Sequence, residues 1–121
     1  MGTTNDYASI LAESGIDYAE AMDRFGGNEA LYRRLAVKFL DDQHVEALEK
    51  ALEANDAEQA FREAHSLKGI AGNLSFTNLY RISCLISEEL REGNLTAAQE
   101  IMEPLKEARN SVMQALEGFS V

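Results

Sequence analysis

Apolar residues return mostly at three- and four-residue intervals, with one step of six between Phe39 and Val45 and one of seven between Leu105 and Val112, through four long stretches of this chain, and the breaks between the stretches are only a few residues long. That period belongs to the α-helix, in which residues three and four apart share a face. Leu31, Leu35, Phe39, Val45, Leu48 and Leu52 mark the first stretch, expected as one continuous helix over 29–54. Ala57, Ala60, Ala64, Leu67, Ala71 and Leu74 mark the second, Leu79, Ile82, Leu85, Ile86 and Leu90 the third, and Leu95, Ala98, Met102, Leu105, Val112, Leu116 and Phe119 the fourth. The breaks are Asn55-Asp56, Ser75-Phe76-Thr77 and Gly93-Asn94. Asp56 with Gln59 predicts a capping box, and Thr77 and either Asn94 or Thr96 are the candidate caps of the next two helices. Pro104 is expected to bend the last helix, because it removes a backbone donor and crowds the preceding turn. Helices joined by short turns run antiparallel, so the pattern predicts an all-α, up-down-up-down four-helix bundle over 28–119. Ahead of it, 6–13 and 17–25 each predict a short helix, separated by Ser14-Gly15 and stopped by Gly26-Gly27. These are expected to cover one end of the bundle, with residues 1–5 flexible and Asn28 capping the first long helix.

Composition removes whole classes of function. With 121 residues, 45% of them hydrophobic, the chain fits one domain with one core. A net charge of −10 repels a phosphate backbone, so no nucleic-acid partner is expected. One cysteine, Cys84, excludes an intrachain disulfide, and with two histidines it leaves little for a zinc site; a reducing cytoplasm is the expected compartment. Apolar runs never exceed about three residues against the roughly 20 that span a bilayer, and no signal-peptide pattern opens the chain, so no membrane association is expected. Met22, Met102 and Met113 read as core filling, Cys84 as a partly buried helix residue, and Asp41-Asp42 as a solvated acidic pair on the first helix.

The second helix carries the chemistry. Its interior holds Gly69 and Gly72, each costing roughly 1 kcal/mol relative to alanine in a helix. At about 100° per residue both fall on the side of His65, one and two turns on, with Lys68 just beside that line. The apolar positions centre on the opposite side, so His65 is expected to face water over a strip bare of side chains. Imidazoles as a class titrate near about 6.5, so a solvent-facing one offers a nucleophilic lone pair at neutral pH. Lys68 is placed to put an ammonium beside a developing anion, and Arg62 to add positive potential from one turn before. His44 has neither a lysine three residues on nor a glycine four on, only Ala47 and Leu48, and reads as a surface histidine.

The stretch His65-Ser-Leu-Lys68-Gly69-Ile-Ala71-Gly72-Asn-Leu74 resembles the signature of the histidine-containing phosphotransfer domains of multistep two-component signalling. Gly15-Ile16-Asp17, Arg24-Phe25-Gly26-Gly27-Asn28 and Glu92-Gly93-Asn94 are similar to family turns, so the resemblance spans nearly the whole chain. It implies a phosphorelay carrier: His65 accepts a phosphoryl group from an aspartyl phosphate on a response-regulator receiver domain and passes it to another receiver, with Lys68 stabilising the phosphate. Phe61, Arg62, Gly69 and Gly72 are then the expected docking residues. Ser83 and Ser87, about level with His65 if the hairpin turns near Phe76, are candidates to orient the ring or touch the phosphate. The resemblance implies a monomer with no cofactor or metal of its own, Mg2+ belonging to the receiver, and a hybrid sensor kinase as a further candidate partner. No nucleotide-binding glycine loop is present, so no self-phosphorylation from ATP is expected. Two alternatives remain open at this level: the phosphoacceptor domain of a chemotaxis-type or hybrid histidine kinase, for which the start at Met1 and the lack of a linker are less natural than for a free-standing protein, and a helical adaptor without phosphate chemistry. A di-iron bundle enzyme is not supported, since the paired Glu-x-x-His motifs are missing.

Overall fold

Asp42 interrupts the first apolar stretch. In the computed structural model, which describes residues 3–119 and the side chains of 8–119, the chain forms α1 (Thr3–Glu13), α2 (Tyr18–Arg24), α3 (Glu29–Val37), a 3₁₀ turn (Lys38–Asp41), α4 (His44–Glu53), α5 (Ala57–Asn73), α6 (Thr77–Arg91) and α7 (Leu95–Glu117). The helix expected over 29–54 is therefore two helices with a tight turn between them. Asp42 takes an extended backbone (φ −71°, ψ 137°). Its carboxylate accepts a hydrogen bond from the His44 backbone N–H at 3.0 Å and lies 2.6 Å from the ring Nδ1. A short acidic side chain that bonds its own backbone offers the chain an alternative to helix continuation. Asp42 is thus a partly buried residue of the turn ahead of α4, whose N-cap is Gln43, and not a solvated helical carboxylate, and His44 is a partly exposed residue of the helix's first turn.

The four-helix bundle is built from α4 to α7. α5 packs between α4 and α6, α6 packs on α7, and α7 returns to α4 to close the ring. Every helix in the bundle contributes to one core: Val45 and Leu48 from α4, Ala60, Ala64, Leu67 and Ala71 from α5, Leu79, Ile82, Ile86 and Leu90 from α6, and Ala98, Met102, Leu105, Val112 and Leu116 from α7. Met22 and Met113 pack against its edge. The described residues contain no strand. None of the helices among them is long and apolar enough to cross a membrane.

Local signals set most of the boundaries. Asp17, Asn28, Asp56 and Asn94 each accept a hydrogen bond from the backbone N–H three residues on. The Asp56 cap is not reciprocated as a capping box: the Gln59 side chain turns to Glu63 and Arg62 instead, and the Asp56 N–H donates to the Ala51 carbonyl. Thr77 does not cap α6, whose N-cap is Phe76; its hydroxyl donates to the Gly15 carbonyl at 3.1 Å. α7 runs through Pro104 as a single helix. α1 begins at Thr3, inside the segment expected to be flexible, while Met1 and Gly2 lie outside the described residues.

The N-terminal helices are fastened to the α5–α6 turn. Besides the Thr77 contact, the Asp17 N–H donates to the Ser75 carbonyl at 2.9 Å, and the buried Tyr32 hydroxyl donates to the Leu74 carbonyl at 2.5 Å. These bonds satisfy carbonyls at the C-terminal end of α5 that have no partner within the helix. Gly15 makes the approach possible. Its φ is +85°, and a Cβ there would stand 2.9 Å from the Cβ of Asn78, a contact no side chain could make without displacing α6.

Candidate functional site at His65

The buried stripe of α5 consists of Ala60, Ala64, Leu67 and Ala71, small enough at three of four positions for α5 to lie close against its neighbours. His65 stands on the opposite side and is exposed, as its phase relative to that stripe requires. Its ring stacks on Phe61, with centroids 5.8 Å apart and an interplanar angle of 25°. One turn of helix separates the two residues, and Phe61 is itself partly buried against the core, lining a surface pocket with Leu90 and Arg91 at the C-terminal end of α6. The stack gives the imidazole a fixed plane to rest on while its outer edge faces solvent.

Lys68 is partly exposed on the same side of α5 and has no ion-pair or hydrogen-bond partner among the described residues. Its ammonium is uncommitted and within reach of an anion formed near His65. Arg62 is already engaged: its guanidinium bonds the Gln59 side chain at 2.7 Å and the Glu58 carboxylate at 3.4 Å, pointing back along α5. The exposed pair with Glu58 is weak, so Arg62 contributes background potential more than a fixed contact.

The two glycines differ. Around Gly69 a Cβ would meet nothing within 4 Å, so no tertiary contact among the described residues calls for glycine there. At Gly72 a Cβ would stand 3.1 Å from both Cδ1 and Cε1 of Tyr80, whose ring lies across the helix backbone. Gly72 was expected to keep space open for a partner; the space is instead occupied by this chain's own tyrosine, which remains 43% exposed. The adjacent Cys84 thiol holds the Tyr80 phenol above its ordinary pKa, which marks the two side chains as neighbours on α6. Between Tyr80, Lys68 and Gly69 on one side and Arg24 of α2 on the other runs a groove of about 450 Å³.

Ser83 and Ser87 do not join the site. Both are buried on the inward side of α6 with Ile82, Ile86 and Leu90, and neither hydrogen-bonds the imidazole; the Ser83 hydroxyl has no partner at all among the described residues. The hairpin register about Phe76 holds, since Gly72 meets Tyr80 across it, but phase turns these hydroxyls into the bundle. The ring is oriented by Phe61 instead. Tyr80 was absent from the expected site although the same register arithmetic about Phe76 places it opposite Gly72. Arg24 had no such signal, because its position depends on how α2 is fastened to the distant α5–α6 turn. No group of three or more His, Cys, Asp or Glu side chains among the described residues is arranged to hold a metal.

A solvent-facing imidazole on a fixed aromatic support, with a free ammonium one turn on and bare backbone beside it, is equipped to take and give up a small electrophile carried by another macromolecule. Among the described residues, the space beside it is a partly open groove. Comparison with known families agrees: the family model of the Hpt domain matches residues 39–118, a span that holds α4 to α7 and His65. No curated protein and no solved structure matches the chain.

Proposed function

From the premise that this chain belongs to the Hpt domain family, and so serves histidine phosphotransfer in two-component signalling, we propose that His65 is its phosphorylated residue and that the protein relays a phosphoryl group between receiver domains. In the forward step the lone pair of the outer ring nitrogen, Nε2, attacks phosphorus of an aspartyl phosphate. The P–N bond forms as the P–O bond to the aspartate breaks, and the receiver's carboxylate leaves with the electron pair. In the second step a carboxylate of another receiver attacks the phosphohistidine, and the imidazole is released unchanged. Lys68 lies close enough to neutralise the phosphoryl oxygens in both directions, a charge-assisted contact that strengthens as the docked partner excludes water. Mg2+ is held by the receiver. The protein binds no ATP, acts in the cytoplasm and works as a monomer.

The observation that carries this reading is Gly69. Glycine lowers helix stability, yet Gly69 stands beside an exposed imidazole with nothing among the described residues within 4 Å of its would-be Cβ, which leaves the bare backbone there open to a docking partner. The test is transfer of label from a phosphorylated receiver. His44→Gln should acquire acid-labile, base-stable phosphate as the natural chain does, and His65→Gln should acquire none. Label on the His65 variant would remove the assignment.

A further inference from the structure

The groove beside Lys68 is walled on one side by α2, which lies outside the residues that match the family. Glu20 and Arg24 line it from α2, with Lys68 and Gly69 from α5 and Tyr80 from α6. α2 is held in place there. The Asp17 N–H to Ser75 carbonyl bond and the Thr77 hydroxyl to Gly15 carbonyl bond fasten its N-terminal end to the α5–α6 turn. Arg24 and Lys68 place two cations against the single carboxylate of Glu20, a local positive excess on a chain whose net charge is −10. Ser75 also lines the groove; it is 1% exposed, and its hydroxyl has no hydrogen-bond partner among the described residues. Arg24 holds Glu20 at 3.1 Å, both side chains nearly half exposed, and such a pair is weak enough to be exchanged for another.

We propose that this groove receives an acidic side chain from the docking receiver, and that Arg24, by exchanging Glu20 for that carboxylate, is a specificity-determining residue for the receivers this protein serves. The inference rests on the phosphoryl-carrier reading. The acyl phosphate such a partner carries is itself anionic, and complementary charge at the rim of an interface governs encounter and partner choice. His65 and Lys68 are fixed by the chemistry and do not distinguish one receiver from another. Arg24 touches none of the reacting atoms and is free to do so.

The probe is the receiver domain that labels His65 fastest from a panel charged with acetyl phosphate. Transfer rates against receiver concentration are compared for the natural chain, Arg24→Gln, Glu20→Gln and the double variant. Arg24→Gln should raise the half-saturating concentration about three- to five-fold, with an unchanged saturated rate and a flatter dependence on salt. Glu20→Gln, which frees the guanidinium, should lower it, and the gain should vanish in the double variant. Unchanged half-saturation and salt dependence in Arg24→Gln, or a Glu20→Gln gain that survives without Arg24, would overturn the proposal while leaving the carrier reading intact. Failure of every receiver to label the natural chain would overturn both.

Discussion

Replacing Gly69 by alanine should make this protein more stable and a poorer carrier. The added methyl meets nothing within 4 Å, so no clash opposes the gain in helix propensity. That gain is about 1 kcal/mol, which for a chain of this size raises the melting temperature by about 3–6 °C. The same substitution at Gly72 puts its methyl 3.1 Å from two ring carbons of Tyr80. The half-exposed ring must tilt away, which offsets part or all of the same propensity gain, so Gly69→Ala should melt above Gly72→Ala. Function should run the other way. A methyl at 69 stands on the surface a receiver must cover, and a longer side chain stands further into it. Displacing reacting atoms by about 1 Å costs up to about a hundred-fold in rate, so Gly69→Gln should slow transfer about ten-fold or more while the bundle stays folded. Circular dichroism melts give the stability arm and rapid-quench transfer from a labelled receiver gives the kinetic arm. A Gly69→Ala variant no more stable than the natural chain, or a folded Gly69→Gln variant with undiminished transfer, would show that the bare backbone at this position has another cause.

The other expectations concern the support beneath the site. Phe61→Ala removes the ring on which His65 rests, an aromatic contact of about 0.5–1.5 kcal/mol, and should slow transfer by up to about ten-fold with helix content unchanged by circular dichroism. Ser83→Ala deletes a buried hydroxyl that has no partner, so it should be neutral or mildly stabilising in denaturant titration and leave transfer unchanged; slowed transfer would restore Ser83 to the site. Leu67→Ala, fully buried behind the His65 strip, should cost about 2–5 kcal/mol in the same titration. Burial works to raise the Glu46 carboxyl, but its own backbone N–H and Arg109 outweigh burial and hold it below its ordinary value. A lowered carboxylate contributes stability above its unfolded pKa of about 4.3, and that stability is lost as pH falls through the folded value. The natural chain should therefore exceed Glu46→Gln in stability at neutral pH, with the difference vanishing on acidification in paired melts.

The sequence determined whatever depends on period and on short-range chemistry. The apolar spacing of 57–74 fixed which side of α5 is buried, and with it that His65 faces water, because helical phase is a local property. Asp17, Asn28, Asp56 and Asn94 cap helices through bonds spanning three residues, and such bonds need no tertiary context. The break at Asp42 escaped that reasoning, which runs one helix over 29–54; its one local sign is the six-residue gap between Phe39 and Val45, where a continuous helix would repeat at three or four. Tertiary structure decided what depends on two elements at once. Gly69 and Gly72 are equivalent along one helix and become different only when α6 brings Tyr80 over the second. Ser83 and Ser87 are level with the site by register, yet packing between α5 and α7 turns them inward. Arg24 reaches the groove because backbone bonds from Asp17 and Gly15 tie α2 to a turn about sixty residues later in sequence, a juxtaposition set by the free energy of the whole packed chain and by no periodicity within it.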